Sequence, residues 1–150
     1  MTRRIAIVLA AVLVVVAIAG CSGTGAPASG PVQTKTATVI ILTQGVLPEI
    51  ADSFAEGQTV RAKDSGALVG KITAIDRVPA VVPVPTSKGE LNAASSPVTQ
   101  DVRLTIEGSC TESDAGFSFG GTYLYVNDAI KYLTPYTVFN GFITSIKVVR

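Results

Sequence analysis

Histidine is absent from this 150-residue chain, and two cysteines and eleven acidic residues are its most evident candidates for covalent or acid–base chemistry. The more distinctive cysteine, Cys21, ends an apolar run and directly follows the small residues Ala19 and Gly20. Small residues at those positions fit the cleft of a signal peptidase. The sequence therefore predicts an export signal over residues 1–20, cleaved between Gly20 and Cys21.

The segment before Cys21 also has the other two parts of a secretory signal, a positive start at Arg3 and Arg4 and an apolar core. Residues 18–21 resemble the lipobox of bacterial lipoproteins. The resemblance implies that the Cys21 thiol carries diacylglycerol and becomes the N-terminus of the mature protein. The membrane would then be a partner through this lipid, at the outer face of the cytoplasmic membrane, or at the outer membrane where the host has one.

An uncleaved transmembrane anchor is the alternative reading of the N-terminal segment. Its apolar run from Ile5 to Gly20 is 16 residues long, whereas a spanning helix needs about 20. One acyl chain holds a protein only marginally, and a lipid with several chains makes attachment durable. The lipid on Cys21 is therefore the expected anchor.

Catalysis is not expected from the remaining reactive groups. Without histidine, Cys110 lacks the base that would make it a nucleophile, and a buried, inert thiol is the more typical state of an unpaired cysteine. Glu107, Glu112 and Asp114 would suggest an acid–base or metal site only if two of them faced one another across a pocket, and no EF-hand pattern accompanies them. We predict no enzyme, no cofactor and no metal site.

Charge and composition indicate which classes of binding partner are expected and how the chain is divided. Removal of residues 1–20 leaves 10 basic and 11 acidic residues, which excludes the basic surface that nucleic-acid binding requires. Residues 21–36, the lipidated cysteine and a stretch rich in Gly, Ser, Ala and Pro, are predicted to form a flexible tether. Residues 37–150 are predicted to form a single domain.

Alternating β-rich runs dominate that domain and predict its fold class. The clearest run is Val98 to Ile106, which alternates apolar with polar residues. A short helix is predicted near Pro48 from apolar residues at spacings of three and four. The expected fold is mainly β, a compact antiparallel β barrel or sandwich with one short helix, following the signal helix and the tether.

Three local features of the predicted sheet can be checked directly. Gly70, inside a strand with Ile72 and Ile75 offset by three residues, predicts a bulge or a close backbone approach. Residues 86–96 and 108–116 are predicted to be loops. Asn140 and Gly141, between two β-rich runs, predict a tight hairpin turn.

Spaced glycines and aliphatic residues over residues 37–149 resemble the domain-of-unknown-function 4330 family, whose members are small bacterial envelope domains that follow an N-terminal membrane segment. The motifs that carry the resemblance are Gly57 to Val60, Gly70 to Ile72, Val102 to Leu104 and Gly141 to Ile146. The family implies no catalytic residues. A weaker resemblance, through Val60 and the residues around Gly70, is to the lipid-transfer domains named after mammalian cell entry.

These observations predict a membrane-anchored lipoprotein whose non-catalytic β domain binds or assembles with other components of the cell envelope. A lipid-handling subunit of an envelope transfer system is the alternative, and a small hydrolase is a distant third. The expected partners are envelope proteins or lipid, and not nucleic acid.

Overall fold

Eight strands and one short helix make up residues 33–149, the part of the chain that the computed structural model describes. In chain order they are β1 (Thr34–Val46), α1 (Pro48–Asp52), β2 (Thr59–Ala62), β3 (Leu68–Pro85), β4 (Leu91–Ser113), β5 (Gly116–Phe119), β6 (Thr122–Leu124), β7 (Ala129–Leu133) and β8 (Val138–Val148). The mainly β class with one short helix is thus confirmed. β1 begins three residues before the expected domain start at residue 37.

The strand pairs, all antiparallel, close on themselves. β1 pairs with β8 on one side and with β4 on the other. From β8 the pairing continues through β7, β2 and β3 back to β4. Six strands therefore form a circuit of hydrogen-bonded neighbours, and β5 and β6 extend the sheet from the end of β4.

The core lies on the inward side of this circuit, where alternate residues of β1 and β4 meet. Val39 is directly opposite Ile106, and Ile41 is opposite Leu104, and all four side chains are fully buried. Each such side chain contributes about 1.5–3 kcal/mol through burial. The predicted half-buried strand is confirmed over Val102 to Ile106. Within residues 33–149, the other large, fully buried side chains include Val60, Val69, Ile72, Val102, Phe119, Leu124, Tyr132 and Ile143.

The bulge predicted around Ile72 is present. Ile72 lies opposite Ile106 and Ala74 lies opposite Thr105, so one extra residue, Thr73, is inserted into β3. The insertion explains why Ile72 and the partly buried Ile75 pack on the same core despite their odd spacing.

The close approach predicted at Gly70 is also present, and it involves a second glycine. A Cβ atom at Gly70 would lie 2.2 Å from the Glu107 carbonyl oxygen, and one at Gly108 would lie 1.9 Å from that of Val69. Neither distance is possible for a real Cβ atom. Only glycine at both positions lets β3 and β4 come this close where they leave their regular pairing.

Both predicted loops are wrong over most of their length. Residues 91–96 belong to β4, and only Thr86 to Glu90 form the turn that precedes it. Residues 108–113 also continue β4, and the turn before β5 is confined to Asp114 and Ala115. Both segments are polar and contain glycine, which is typical of loops. Their backbone groups nevertheless form strand pairs, with β3 in the first segment and with β1 and β5 in the second.

The hairpin turn predicted at Asn140 and Gly141 is wrong as well. Both residues lie inside β8, paired with Lys131 and Ile130 of β7. A Cβ atom at Gly141 would lie 2.3 Å from Cγ2 of Ile41. Glycine is therefore needed at this position for packing, since the inward face of β8 has no room for a side chain there.

Helix α1 is attached to the sheet by one arginine of β3. The Arg77 guanidinium donates hydrogen bonds from Nε and Nη2 to the carbonyl oxygen of Ala51, at 3.2 and 3.1 Å, and from Nη2 to that of Phe54, at 3.1 Å. These carbonyls lie at and just beyond the C-terminal end of the helix, where the i+4 amides of a continuing helix are missing, although that of Ala51 also accepts from the N–H of Phe54 at 3.4 Å. A cation is also favourable near that end of a helix.

We expect Arg77→Lys to lower the free energy of unfolding by about 1–2 kcal/mol, because a single ammonium cannot reproduce the planar donors of guanidinium. Arg103→Lys is the matched control. Arg103 lies 3.7 Å from Asp76 in an exposed ion pair, and such pairs contribute about 0–1 kcal/mol. Urea unfolding followed by circular dichroism measures both variants, and equal losses would contradict the attachment of α1 through Arg77.

Candidate functional site

One exposed surface feature is a two-stranded extension of β3 and β4, residues 81–95, here named the arm. Within residues 33–149 its strands pair only with each other, from Val81 opposite Ser95 to Pro85 opposite Leu91. Val81 is 66% exposed and Leu91 70% exposed, and Val84 is also exposed. An isolated two-stranded ribbon is marginally stable in water, and exposed aliphatic side chains on one are typical of a contact surface.

The arm lies at a defined end of the domain. β1 runs from Thr34, opposite Thr111, to Val46, opposite Gln100, and the arm continues β4 beyond that second end. Thirteen residues of strand span about 40 Å. The chain thus enters the domain at one end of β1, and the arm extends from the other.

A cleft of about 340 Å³ opens near that same end of β1. Lys63, Lys131 and Asn140 provide its polar side, and Val46 and Ile50 are among its apolar lining residues. The remaining lining residues are Thr43, Gln44, Val138 and Phe139. No local sequence pattern indicates this site, because residues 63, 131 and 140 are brought together only by the pairing of β2, β7 and β8.

A second cleft, of about 380 Å³, lies over the two closely packed glycines, Gly70 and Gly108. Lys71 and Glu107 line it, and both also line an adjoining cleft that includes Thr36. Lys71 and Glu107 are opposite one another on β3 and β4. One positively and one negatively charged side chain are thus neighbours on the same face of the sheet.

None of the three clefts described above is lined by more than one of the three acids considered for acid–base chemistry. Glu107 lines these clefts, Glu112 forms an ion pair with Lys35, and Asp114 lies in the turn between β4 and β5. Among residues 33–149, no group of three His, Cys, Asp or Glu side chains is arranged to hold a metal ion.

Cys110 is an unpaired cysteine of the core, 1% exposed, as predicted. Burial raises the pKa of its thiol, the charge of Glu112 raises it further, and Lys35 acts in the opposite direction. The neutral thiol is therefore favoured, and a neutral thiol is a poor nucleophile and metal ligand.

Tyr132 carries a second buried group with a shifted pKa. Its ring stacks on Phe139, and its hydroxyl has no hydrogen-bond partner within the described residues. Burial raises the pKa of Tyr132 far above its ordinary value, and the charge of Asp128 adds to the shift.

Ionisation of Tyr132 should therefore weaken the fold at alkaline pH. An unfolded tyrosine loses its proton near pH 10, whereas Tyr132 in the folded domain keeps its proton at that pH. The free energy of unfolding is therefore constant with respect to this group below about pH 10 and falls as the pH rises further. We expect Tyr132→Phe to reduce the fall by up to about 1.4 kcal/mol per pH unit. At pH 7 the variant should be no less stable than the parent, because no hydrogen bond is lost.

The control is Tyr136→Phe, since Tyr136 is 78% exposed. Unfolding free energies measured in urea between pH 8 and 11 should have the parent's slope in this variant. An unchanged slope in Tyr132→Phe would contradict the shifted pKa.

The predicted cleavage site between Gly20 and Cys21 and the predicted lipidation site, Cys21, lie outside the described part of the chain, as do the signal segment and the tether up to residue 32. Lipidation and cleavage therefore stay predictions. Within residues 33–149, no helix has the length and apolar character needed to cross a membrane.

Comparison with known proteins gives one informative result. The family model described as "Domain of unknown function (DUF4330)" matches residues 5–147. Searches of curated proteins and of solved structures give no match. The matched range includes the β domain almost to its end and the apolar N-terminal segment from residue 5. The chain therefore belongs to the domain-of-unknown-function 4330 family.

Proposed function

We propose that this protein is a cell-envelope lipoprotein, anchored through lipid on Cys21, whose non-catalytic β domain binds another envelope protein through the arm. The observation that carries the proposal is the placement of the arm. The chain leading from Cys21 enters the domain at Thr34, and the arm begins beyond the opposite end of β1. A domain that the chain enters at one end of β1, and whose exposed apolar ribbon begins beyond the other end, suits a protein that presents a binding element to a partner.

Membrane attachment is supported by the extent of the family match. The match begins at residue 5, so the apolar segment before Cys21 recurs together with this β domain in the family. Confinement near a membrane raises the effective concentration of a binding surface. A small contact area such as the arm can then be sufficient for association.

The surface chemistry of the arm favours a protein partner. Its exposed aliphatic residues include Val81, Val84 and Leu91, and its turn carries one lysine and one acid, Lys88 and Glu90. Within the arm, one edge of β4 pairs with no other strand of residues 33–149. An extended segment of a partner can add to such an edge as a further strand.

Photocrosslinking in intact cells tests the proposal. A benzophenone amino acid at Leu91 or Val81 of the full-length protein should give discrete adducts with a protein on irradiation. The matched control is the same substitution at Val126, an aliphatic residue of similar exposure, 57%, on the connection between β6 and β7. It should give no such adduct.

Equal adducts at Val126 and Leu91, or none at either arm position, would overturn the assignment of the arm. Adducts of the arm with phospholipid in place of protein would also overturn it, and would favour the lipid-handling alternative. Gel mobility separates these outcomes, and mass spectrometry of the crosslinked peptides identifies the attached species.

A further inference from the structure

The polar side of the 340 Å³ cleft is built from residues that are adjacent across three strands. The backbone N–H of Lys63 donates to the carbonyl of Lys131 at 2.8 Å, which continues the pairing of β2 with β7. Lys131 in turn lies opposite Asn140 of β8. Residues opposite one another on antiparallel strands have Cβ atoms about 5 Å apart on the same face. The side chains of two lysines and one asparagine therefore leave the sheet at neighbouring positions on the same face.

This arrangement of two positive charges favours the binding of an anion. Like charges on directly opposed strand positions repel each other. Within residues 33–149, the only ion pairs are Lys35 with Glu112 and Arg103 with Asp76, so no carboxylate neutralises Lys63 or Lys131. An oxyanion between the two ammonium groups would remove the repulsion and accept charge-assisted hydrogen bonds from both.

Apolar residues form the rest of the cleft lining, so a ligand that fills the cleft would have an apolar part beside its charged group. Val46 and Ile50 line it together with Val138 and Phe139. Its volume is at the lower end of the range typical of small-molecule sites. We propose that this cleft binds a small organic oxyanion, a carboxylate or a phosphate monoester, that carries an apolar substituent. The charged group lies between Lys63 and Lys131, and the substituent contacts Val46 and Ile50.

Protection of lysines from acetylation tests this site in the full-length protein held in phosphatidylcholine nanodiscs. The probes are octanoate, octyl phosphate and acetate, and mass spectrometry measures acetylation at each lysine. Octanoate or octyl phosphate should slow acetylation of Lys63 and Lys131 and leave the exposed Lys147 unchanged. Acetate should protect them at least tenfold less well, because it has no apolar chain to bury. Comparison of the two octyl probes shows which oxyanion is preferred.

A variant pair separates a specific site from general attraction of anions. Lys63→Gln should raise the concentration of octyl probe that half-protects Lys131 about tenfold, and Lys147→Gln should leave it unchanged. Equal protection of all lysines would overturn the proposal, since it would indicate non-specific binding. Absence of protection at Lys63 and Lys131, or an unchanged half-protecting concentration in Lys63→Gln, would overturn it too.

Discussion

Replacement of Gly108 by alanine should destabilise the domain by about 4 kcal/mol or more, which is a large share of the roughly 5–15 kcal/mol that stabilises a typical domain. The added Cβ atom would lie 1.9 Å from the carbonyl oxygen of Val69 and 3.1 Å from Cα of Gly70. Both contacts are with backbone, which cannot move aside as a flexible side chain does. β3 and β4 would have to separate at this point, and the circuit of strands depends on their pairing.

A second glycine substitution provides the control for this prediction. Gly45→Ala removes a glycine with a positive φ of 63° and open space around it, so it should cost about 1–2 kcal/mol through backbone strain alone. Urea unfolding of the two variants, followed by far-UV circular dichroism, separates steric exclusion from the general cost of losing glycine. Equal stability of the two variants would contradict the close approach of β3 and β4.

Cys21→Ser should abolish lipid attachment and processing of the protein. A serine hydroxyl offers no thiol to receive diacylglycerol, and in the proposed anchor the acyl chains would supply the membrane affinity, at about 0.8 kcal/mol for each buried CH₂ group. Incorporation of a clickable palmitate analogue should fall to background, and the full-length precursor should accumulate. The precursor can still sediment with membranes through its apolar segment, so lipid labelling and chain length are the measurements that decide.

Cys110→Ser is the matched control for Cys21→Ser, because the chain contains only these two cysteines. Cys110 lies in the core, so this change should lower stability yet leave lipid labelling and processing intact. Continued labelling of Cys21→Ser, or loss of labelling in Cys110→Ser alone, would contradict attachment at Cys21.

The sequence predicted those parts of the fold in which the spacing of apolar residues along the chain directly reflects the geometry of the strand. Alternation in β4 predicted its buried face over Val102 to Ile106. The three-residue offset between Ile72 and Ile75 predicted the inserted residue in β3. In both places the core imposes a spacing that is visible in the chain itself.

Predictions failed where backbone pairing is independent of side-chain type. Asn92 to Ser96 contains small and polar residues, yet most of this segment pairs with β3. Gly141 had the sequence context of a turn, but the requirement it meets is set by Ile41, a hundred residues away. The cleft with Lys63 and Lys131 was not predicted from the sequence for the same reason. It depends on the register between strands that are distant in the chain, and no local sequence pattern indicates that register.

The mass of the intact protein, extracted from the membranes of cells that produce it, tests the central claim most directly. The account predicts a polypeptide that begins at Cys21 and carries the added mass of a diacylglyceryl group, with or without a further acyl chain on its amino group. An unmodified chain of all 150 residues, or one cleaved elsewhere without lipid, would contradict it.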